Sequence, residues 1–350
     1  MSLIDYDQAV SAHQNKRRGR AFLIPIKGLN SSLTTYNCAP MVNDNKILHL
    51  LSRVESSDPG SEISDVRGFY FDRRGFVVPN GLIIPKAQDP STSLIAPDRT
   101  VIGVVAITEN QGKIATYWSQ LYEFKGGVVS QDRIARGLEF QKEVRVAYVG
   151  SFGEEDLSVI ATRERQDNAR RIRSYLQVGI VPTATDMLQL SRDIIQVKND
   201  PTSRLDVLLP DNLTWFGPNQ IIPLQSQDGD LVFGLLFHTG RFTNRLYGNG
   251  EKGRNYIAWV TEISADPETR QVTSFTKPRV IATADIFPYT EAKRSDLFNV
   301  IIPGGFVFGM KKGLVEQTIL FGGLRDRYNC WAEMGYPFSR PPDLKLNRLS

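Results

Sequence analysis

The sequence predicts an all-β fold, a five-bladed β-propeller preceded by a short helical or irregular N-terminal arm. Short apolar runs, often alternating with polar residues and bounded by Gly, Pro, Asn and Asp, follow one another through most of the 350 residues; these are strand and hairpin signals. Long helical patterns are nearly absent, which disfavours a doubly wound α/β fold. The strand clusters also recur with a polar or acidic residue at a similar place, near residues 39, 89, 156, 219 and 296. That spacing of about 50 to 77 residues suits blades of four strands, each burying its faces only against its neighbours. A β-sandwich is the competing arrangement.

In chain order, residues 1–19 form the arm, 20–338 the propeller and 339–350 a C-terminal tail. Arg20 to Ile26 reads as a strand. Tyr36 to Asp58 reads as a hairpin turning at Asn43-Asp44-Asn45, because Asn and Asp tolerate turn backbones. Its second strand ends in Arg53-Val54-Glu55, and residues two apart share a face, so the two charges point together. Val66 to Phe71 is a strand, Leu82 to Pro90 a loop entering a new sheet, and Thr100 to Ile107 and Ile114 to Tyr122 are consecutive strands. The third unit starts near Val144, and Ala184 to Gln196 is the best helix outside the arm. The fourth starts at Trp215-Phe216-Gly217-Pro218-Asn219-Gln220, and the fifth at Ser295-Asp296.

Composition narrows the function classes. With 42 basic and 38 acidic residues the net charge is only +4, which argues against a dedicated nucleic-acid binder. The first ten residues lack a secretory pattern, and no run approaches the roughly 20 apolar residues that span a bilayer. A cytoplasmic protein is expected, without nucleic-acid or membrane partner. Cys38 and Cys330 fit a reducing compartment as two buried thiols. Gly248-Asn249-Gly250-Glu251-Lys252-Gly253 matches a dinucleotide-binding pattern in letters, but that pattern needs a following helix. Here RNYIAWV reads as a strand, so the match is a hairpin loop. No metal-spaced ligand set and no cofactor motif appears, although a channel cation held by backbone and water would leave no trace in sequence.

The ordered set Arg53-Val54-Glu55, Gln88-Asp89-Pro90, Glu155-Asp156, Gly217-Pro218-Asn219-Gln220, and Ser295-Asp296 with Gly322-Gly323 resembles an uncharacterised bacterial and protozoan family of five-bladed propellers. The wider relatives of that family are the arabinanase and xylosidase propellers and the β-mannoside phosphorylases. The resemblance covers about residues 36–338. It implies a glycoside hydrolase or phosphorylase whose carboxylates, from different blades, converge at the mouth of a central channel. Its partners would be a small carbohydrate and, for a phosphorylase, inorganic phosphate; the oligomeric state is left open.

Glycosidic cleavage needs an acid for the leaving oxygen and a second carboxylate. The resemblance puts Asp89 and Asp156 first for these roles, with Asp296 as third carboxylate. The competing readings are a turn aspartate before proline for Asp89 and a solvated charge for Asp156. Arg53, Glu55, Asn219, Gln220, His238, Trp215 and Asp326 are the candidate substrate-binding residues. Against them stand a strand-end salt bridge for Glu55, a structural histidine for His238, a buried tryptophan for Trp215 and a turn cap for Asp326. Many members of the family carry glutamate where Gln220 stands, and glutamine cannot protonate a leaving group. Without the acid at that position, a non-catalytic sugar-binding propeller or a protein-interaction scaffold are the alternatives.

Overall fold

A computed structural model describes residues 20–42, 48–72, 76–96, 99–168, 171–205, 215–226, 229–246, 252–311 and 314–343. The expected arm, the turn at Asn43-Asp44-Asn45 and the end of the expected tail lie outside the described residues. Within them the chain forms five antiparallel sheets. The first holds β2 (Leu33–Val42), β3 (Leu48–Ser56), β4 (Ser64–Phe71) and β5 (Val77–Ile84); β1 (Ala21–Leu23) precedes them in the chain. The second holds β6 (Ala87–Ala96), β7 (Arg99–Asn110), β8 (Lys113–Lys125) and β9 (Val128–Glu139). In the third, β10 (Arg145–Phe152), β11 (Glu155–Asn168) and β12 (Arg171–Pro182) are joined by β13 (Arg204–Leu205). The fourth comprises β14 (Trp215–Pro223), β15 (Leu231–Leu246), β16 (Lys252–Asp266) and β17 (Gln271–Phe275), with β18 (Arg279–Ala282) also on β16. In the fifth, β19 (Ile301–Lys311), β20 (Leu314–Leu324) and β21 (Tyr328–Met334) are completed by β1 from the other end of the chain.

The fold is all-β and propeller-like. Along the series β2, β6, β10, β14 and β19, the first strand of each sheet touches the first strand of the next, and β19 touches β2. The apolar cores lie between sheets. Phe216, Phe237 and Trp259 meet Val159 and Val178 between the third and fourth sheets, and Phe306 and Phe308 meet Leu236 and Val260 between the fourth and fifth. Phe321 of the fifth sheet packs with Cys38, Leu50 and Phe69 of the first. Each fully buried aromatic or aliphatic side chain in such a core contributes about 1.5–3 kcal/mol.

The one α-helix among the described residues, α1 (Met187–Asn199), packs on β9 and β12. It starts three residues later than the sequence pattern suggests because Asp186 caps it, its Oδ1 accepting from Gln189 N at 2.7 Å. The expected loop over Leu82 to Pro90 is instead the end of β5 and the start of β6, separated by a turn at Pro85 and Lys86. Most of the GxGxxG match, residues 248–251, lies outside the described residues; β15 and β16 on either side of it pair antiparallel. Part of the expected tail is tied in, with Asp343 N donating to Pro223 O and Gln225 N to Pro341 O, each at 2.9 Å. Cys38 and Cys330 are buried free thiols; Cys38 Sγ donates to Gly322 O at 3.2 Å, and burial pushes its pKa up to about 12. No helix among the described residues is long and apolar enough to cross a membrane.

Candidate active site

The site is built from interruptions in the first strands. Pairing slips between Tyr36 and Ala39 in β2, between Gln88 and Ser91 in β6, between Pro218 and Gln220 in β14, and between Pro303 and Gly305 in β19. A bulge re-aims the side chain it carries. Here three bulges aim Asn37, Asp89 and Asn219 into one pocket. Asn37 and Asp89 take left-handed backbones, at φ 56° and 48°, as do Glu143 at 61° just before β10 and Asp326 at 49° between β20 and β21. Asn and Asp reach that region most cheaply among chiral residues. For glutamate the conformation costs on the order of 1–3 kcal/mol, and such strain clusters where geometry serves function.

The pocket encloses about 230 Å³. Seven basic side chains line it (Arg53, Lys142, Arg145, Arg163, Arg254, Lys293 and Arg294) together with five acidic ones (Glu55, Glu62, Asp89, Glu143 and Asp326). One half is organised by Arg53. Its Nη2 donates to Glu55 Oε2 at 2.7 Å and its Nη1 lies 3.9 Å from Asp89 Oδ1. Lys293 Nζ pairs with the other oxygen of Glu55 and donates to Ser61 O at 2.8 Å. Asp89 Oδ1 also accepts from Asn37 Nδ2 at 3.0 Å.

The opposite half is organised by Glu143. Its Oε2 lies 3.4 Å from Arg163 Nε, and its Oε1 3.7 Å from His238 Nε2. His238 Nδ1 meets Asn219 Oδ1 at 2.9 Å, and Arg145 Nε donates to Asn219 O at 2.8 Å. Gly217 makes this packing feasible, since a Cβ there would stand 2.1 Å from Glu143 Oε2 and 2.5 Å from His238 Cε1. Lys142 holds its ammonium 4.6 Å from the Tyr117 ring. Trp215 and Tyr256 also line the pocket, ring centroids 5.2 Å apart, with Tyr256 5.8 Å from the His238 ring.

Environment separates the two aspartates. Burial alone would raise Asp89, but Arg53, Lys142, the Asn37 hydrogen bond and Arg145 outweigh it and hold the carboxyl below its ordinary range. For Asp326 burial wins. With Glu55 and Asp89 adding to it against Arg53 and Lys293, its pKa is pushed up to about 6. Its Oδ1 is buried with no hydrogen-bond partner among the described residues. Burial also pulls His238 and Lys142 down, against the opposing influence of Glu143 on the first and Asp89 on the second. One carboxylate held ionised and another with its pKa raised toward neutrality is how sites divide acid and base roles.

Of the residues singled out from sequence, the structure brings Arg53, Glu55, Asp89, Trp215, Asn219, His238 and Asp326 together in the pocket. Asp296 stands just behind it, its side chain inaccessible, gripping Arg294 at 3.1 and 3.2 Å and Arg254 at 3.4 Å. Asp156 is not brought there. It is exposed at the tip of the β10–β11 hairpin, where its Oδ1 accepts from Tyr148 and Ser151 hydroxyls at 3.0 and 2.5 Å. The pocket lies at the other end of β10, beside Glu143 and Arg145. Gln220 is also outside the lining, 7% exposed, with its Oε1 accepting from Phe306 N at 2.7 Å. Sequence reasoning missed Lys142, Glu143 and Arg145. Their available signal was charge directly before and within the apolar run VRVAYVG that opens the third sheet.

A family model described as DUF1861, a protein of unknown function, matches residues 11–340. The chain belongs to the DUF1861 family. Curated proteins offer no match to this DUF1861 chain. Among solved structures it is similar to MPT-4, a mannose phosphorylase from Leishmania mexicana solved with a phosphate ion, at 20% identity and TM-score 0.75, over 97% of this chain and 96% of that one. It is similar to MPT-1, a GDP-Man-dependent mannosyltransferase from Leishmania mexicana, at 21% identity and TM-score 0.72, over 95% of each chain. A hypothetical protein from Leishmania major aligns at 22% identity and TM-score 0.71, over 97% of this chain and 98% of that one. At these identities the likeness is one of fold.

Proposed function

We propose that the five sheets are five blades around a central channel, and that the pocket at its mouth breaks a glycosidic bond of a small glycoside by phosphorolysis. The observation that carries the reading is the split pair, Asp89 ionised and Asp326 with its pKa near 6 in the same pocket. Asp326, protonated, donates to the leaving glycosidic oxygen as the bond from the anomeric carbon breaks. A phosphate oxygen forms the new bond to that carbon, and the proton lost from phosphate restores Asp326. Asp89 faces the sugar as a fixed negative charge that stabilises the positive character developing on the ring. Phosphate is held beside Lys142, Arg145 and Arg163, three cations set against the carboxylates of Glu143 and the nearby Asp89. The phosphate-bound mannose phosphorylase of the same fold supports both this anion site and mannose as the sugar to try first. Gln220 lends no support to a non-catalytic reading, because the carboxylates of the pocket stand elsewhere.

The test is turnover of β-linked mannobioses and aryl β-mannosides by purified protein, with and without inorganic phosphate. Phosphate-dependent release of sugar 1-phosphate, lost in Asp326→Asn and Asp89→Asn, is expected. No turnover of any glycoside, or unchanged turnover in both variants, overturns the proposal. Turnover indifferent to phosphate replaces phosphorolysis with hydrolysis.

A further inference from the structure

The pocket's volume sets a limit on what it holds. At about 230 Å³ it falls below the roughly 300–1,000 Å³ typical of sites that enclose a drug-sized ligand. One sugar ring with a small anion fills it, so whatever the ring is joined to must leave through the mouth. Next to the lining, one exposed surface is aromatic. Trp215 lines the pocket, and Phe242, 42% exposed on β15, meets it edge-on with centroids 5.1 Å apart. Tyr256 also tilts against Trp215, and Arg254 lies 5.8 Å over Phe242.

This group is not core that happens to surface. The core aromatics of the same sheet, Phe216, Phe237 and Trp259, are fully buried. The Trp215 ring is fixed by Gly240 opposite it in the ladder, where a Cβ would stand 2.0 Å from the indole nitrogen. Two other strongly exposed aromatics stand near the site: Phe140, against Tyr117 beneath Lys142, and Tyr289, against Phe298 beside the lining residue Leu297. Neither touches an aromatic ring that itself lines the pocket, so of these three Phe242 alone, among the described residues, continues the lining surface outward.

We infer that Trp215 and Phe242 form a second subsite, an aromatic corner in which the sugar ring on the leaving-group side stacks on one ring and abuts the other, so that the substrates are oligosaccharides rather than simple alkyl glycosides. The apolar C–H face of a pyranose lies on such rings, and Arg254 at the edge of the corner offers donors to its hydroxyls. The inference rests on the glycoside reading of the pocket.

The experiment compares β-linked mannobioses with methyl β-mannoside, in phosphate, as the ratio of their kcat/KM values. Wild type should favour the disaccharide. Phe242→Ala should lower that ratio on the order of fivefold to tenfold, and Phe242→Tyr, which keeps the ring, should restore it. A ratio near one in wild type, or the same ratio in Phe242→Ala, overturns the subsite and leaves the glycoside reading intact. No turnover of either sugar overturns both.

Discussion

The guanidinium of Arg53 lies 3.9 Å from the carboxylate of Asp89, on adjoining sheets. The same guanidinium is locked to Glu55, whose side chain is inaccessible to solvent. Arg53 therefore neutralises one carboxylate for the fold and sets the charge of another for the pocket.

Replacing Arg53 separates these two roles. Arg53→Met leaves the buried Glu55 with Lys293 and the Tyr36 hydroxyl and should cost about 3–5 kcal/mol of stability, the usual penalty for breaking a buried pair. It also removes the leading favourable influence on the ionised form of Asp89, so the carboxyl should titrate higher. Denaturant melts check the first effect, and a pH–rate profile whose acidic limb moves up checks the second.

Asp326 predicts a pH dependence with a definite sign. Its folded pKa, near 6, lies above the ordinary value of 3.8, so between those pH values the folded state binds more protons than the unfolded state. Its contribution to stability is therefore fully present below about pH 4 and is lost as pH rises through about 6. Asp326→Asn should stabilise the protein at pH 8 by up to about 3 kcal/mol, with little difference at pH 4. The same substitution should abolish the decline of turnover above pH 6, along with most of the turnover, on the order of 10²–10⁴-fold. Melts at the two pH values and a pH–rate profile measure both.

Parts of this site are legible in the sequence and parts are not, for physical reasons. Arg53 and Glu55 could be paired because strand alternation is a local property, and β2 and β3 do pair antiparallel. Asp89 stood out by its place at the start of a strand cluster. Glu143 did not, because its left-handed backbone leaves no mark in composition, and the acidic run at residues 154–156 is more conspicuous. That run forms the far tip of the hairpin. Asp326 read equally well as a turn cap, because its raised pKa arises first from burial and then from Glu55 and Asp89, residues distant in sequence that the fold brings close. The five sheets themselves could be anticipated, since hairpin signals are short-range.

Gln220 should prove structural. Its amide oxygen satisfies the buried N–H of Phe306 and so ties the fourth sheet to the fifth. Gln220→Ala should cost about 1–3 kcal/mol through that unsatisfied donor, read from the melting midpoint. If Gln220→Glu instead created or greatly raised glycoside turnover, the acid would belong at this position and the assignment to Asp326 would fall.

Gly217 gives the sharpest test of the cationic half of the pocket. It faces His238 across the β14–β15 ladder, and an added methyl would overlap both Glu143 and His238. Gly217→Ala should push Glu143 from its place between Arg163 and His238, at an overpacking cost of about 1–3 kcal/mol. Asp89, Asn37 and Arg53 stand in the other half and keep their bonds to one another. The KM for phosphate should therefore rise on the order of tenfold, while the KM for the glycoside changes much less. Equal increases in both would mean that the halves do not divide the two substrates, and an unchanged KM for phosphate would place the anion away from Glu143 and its partners.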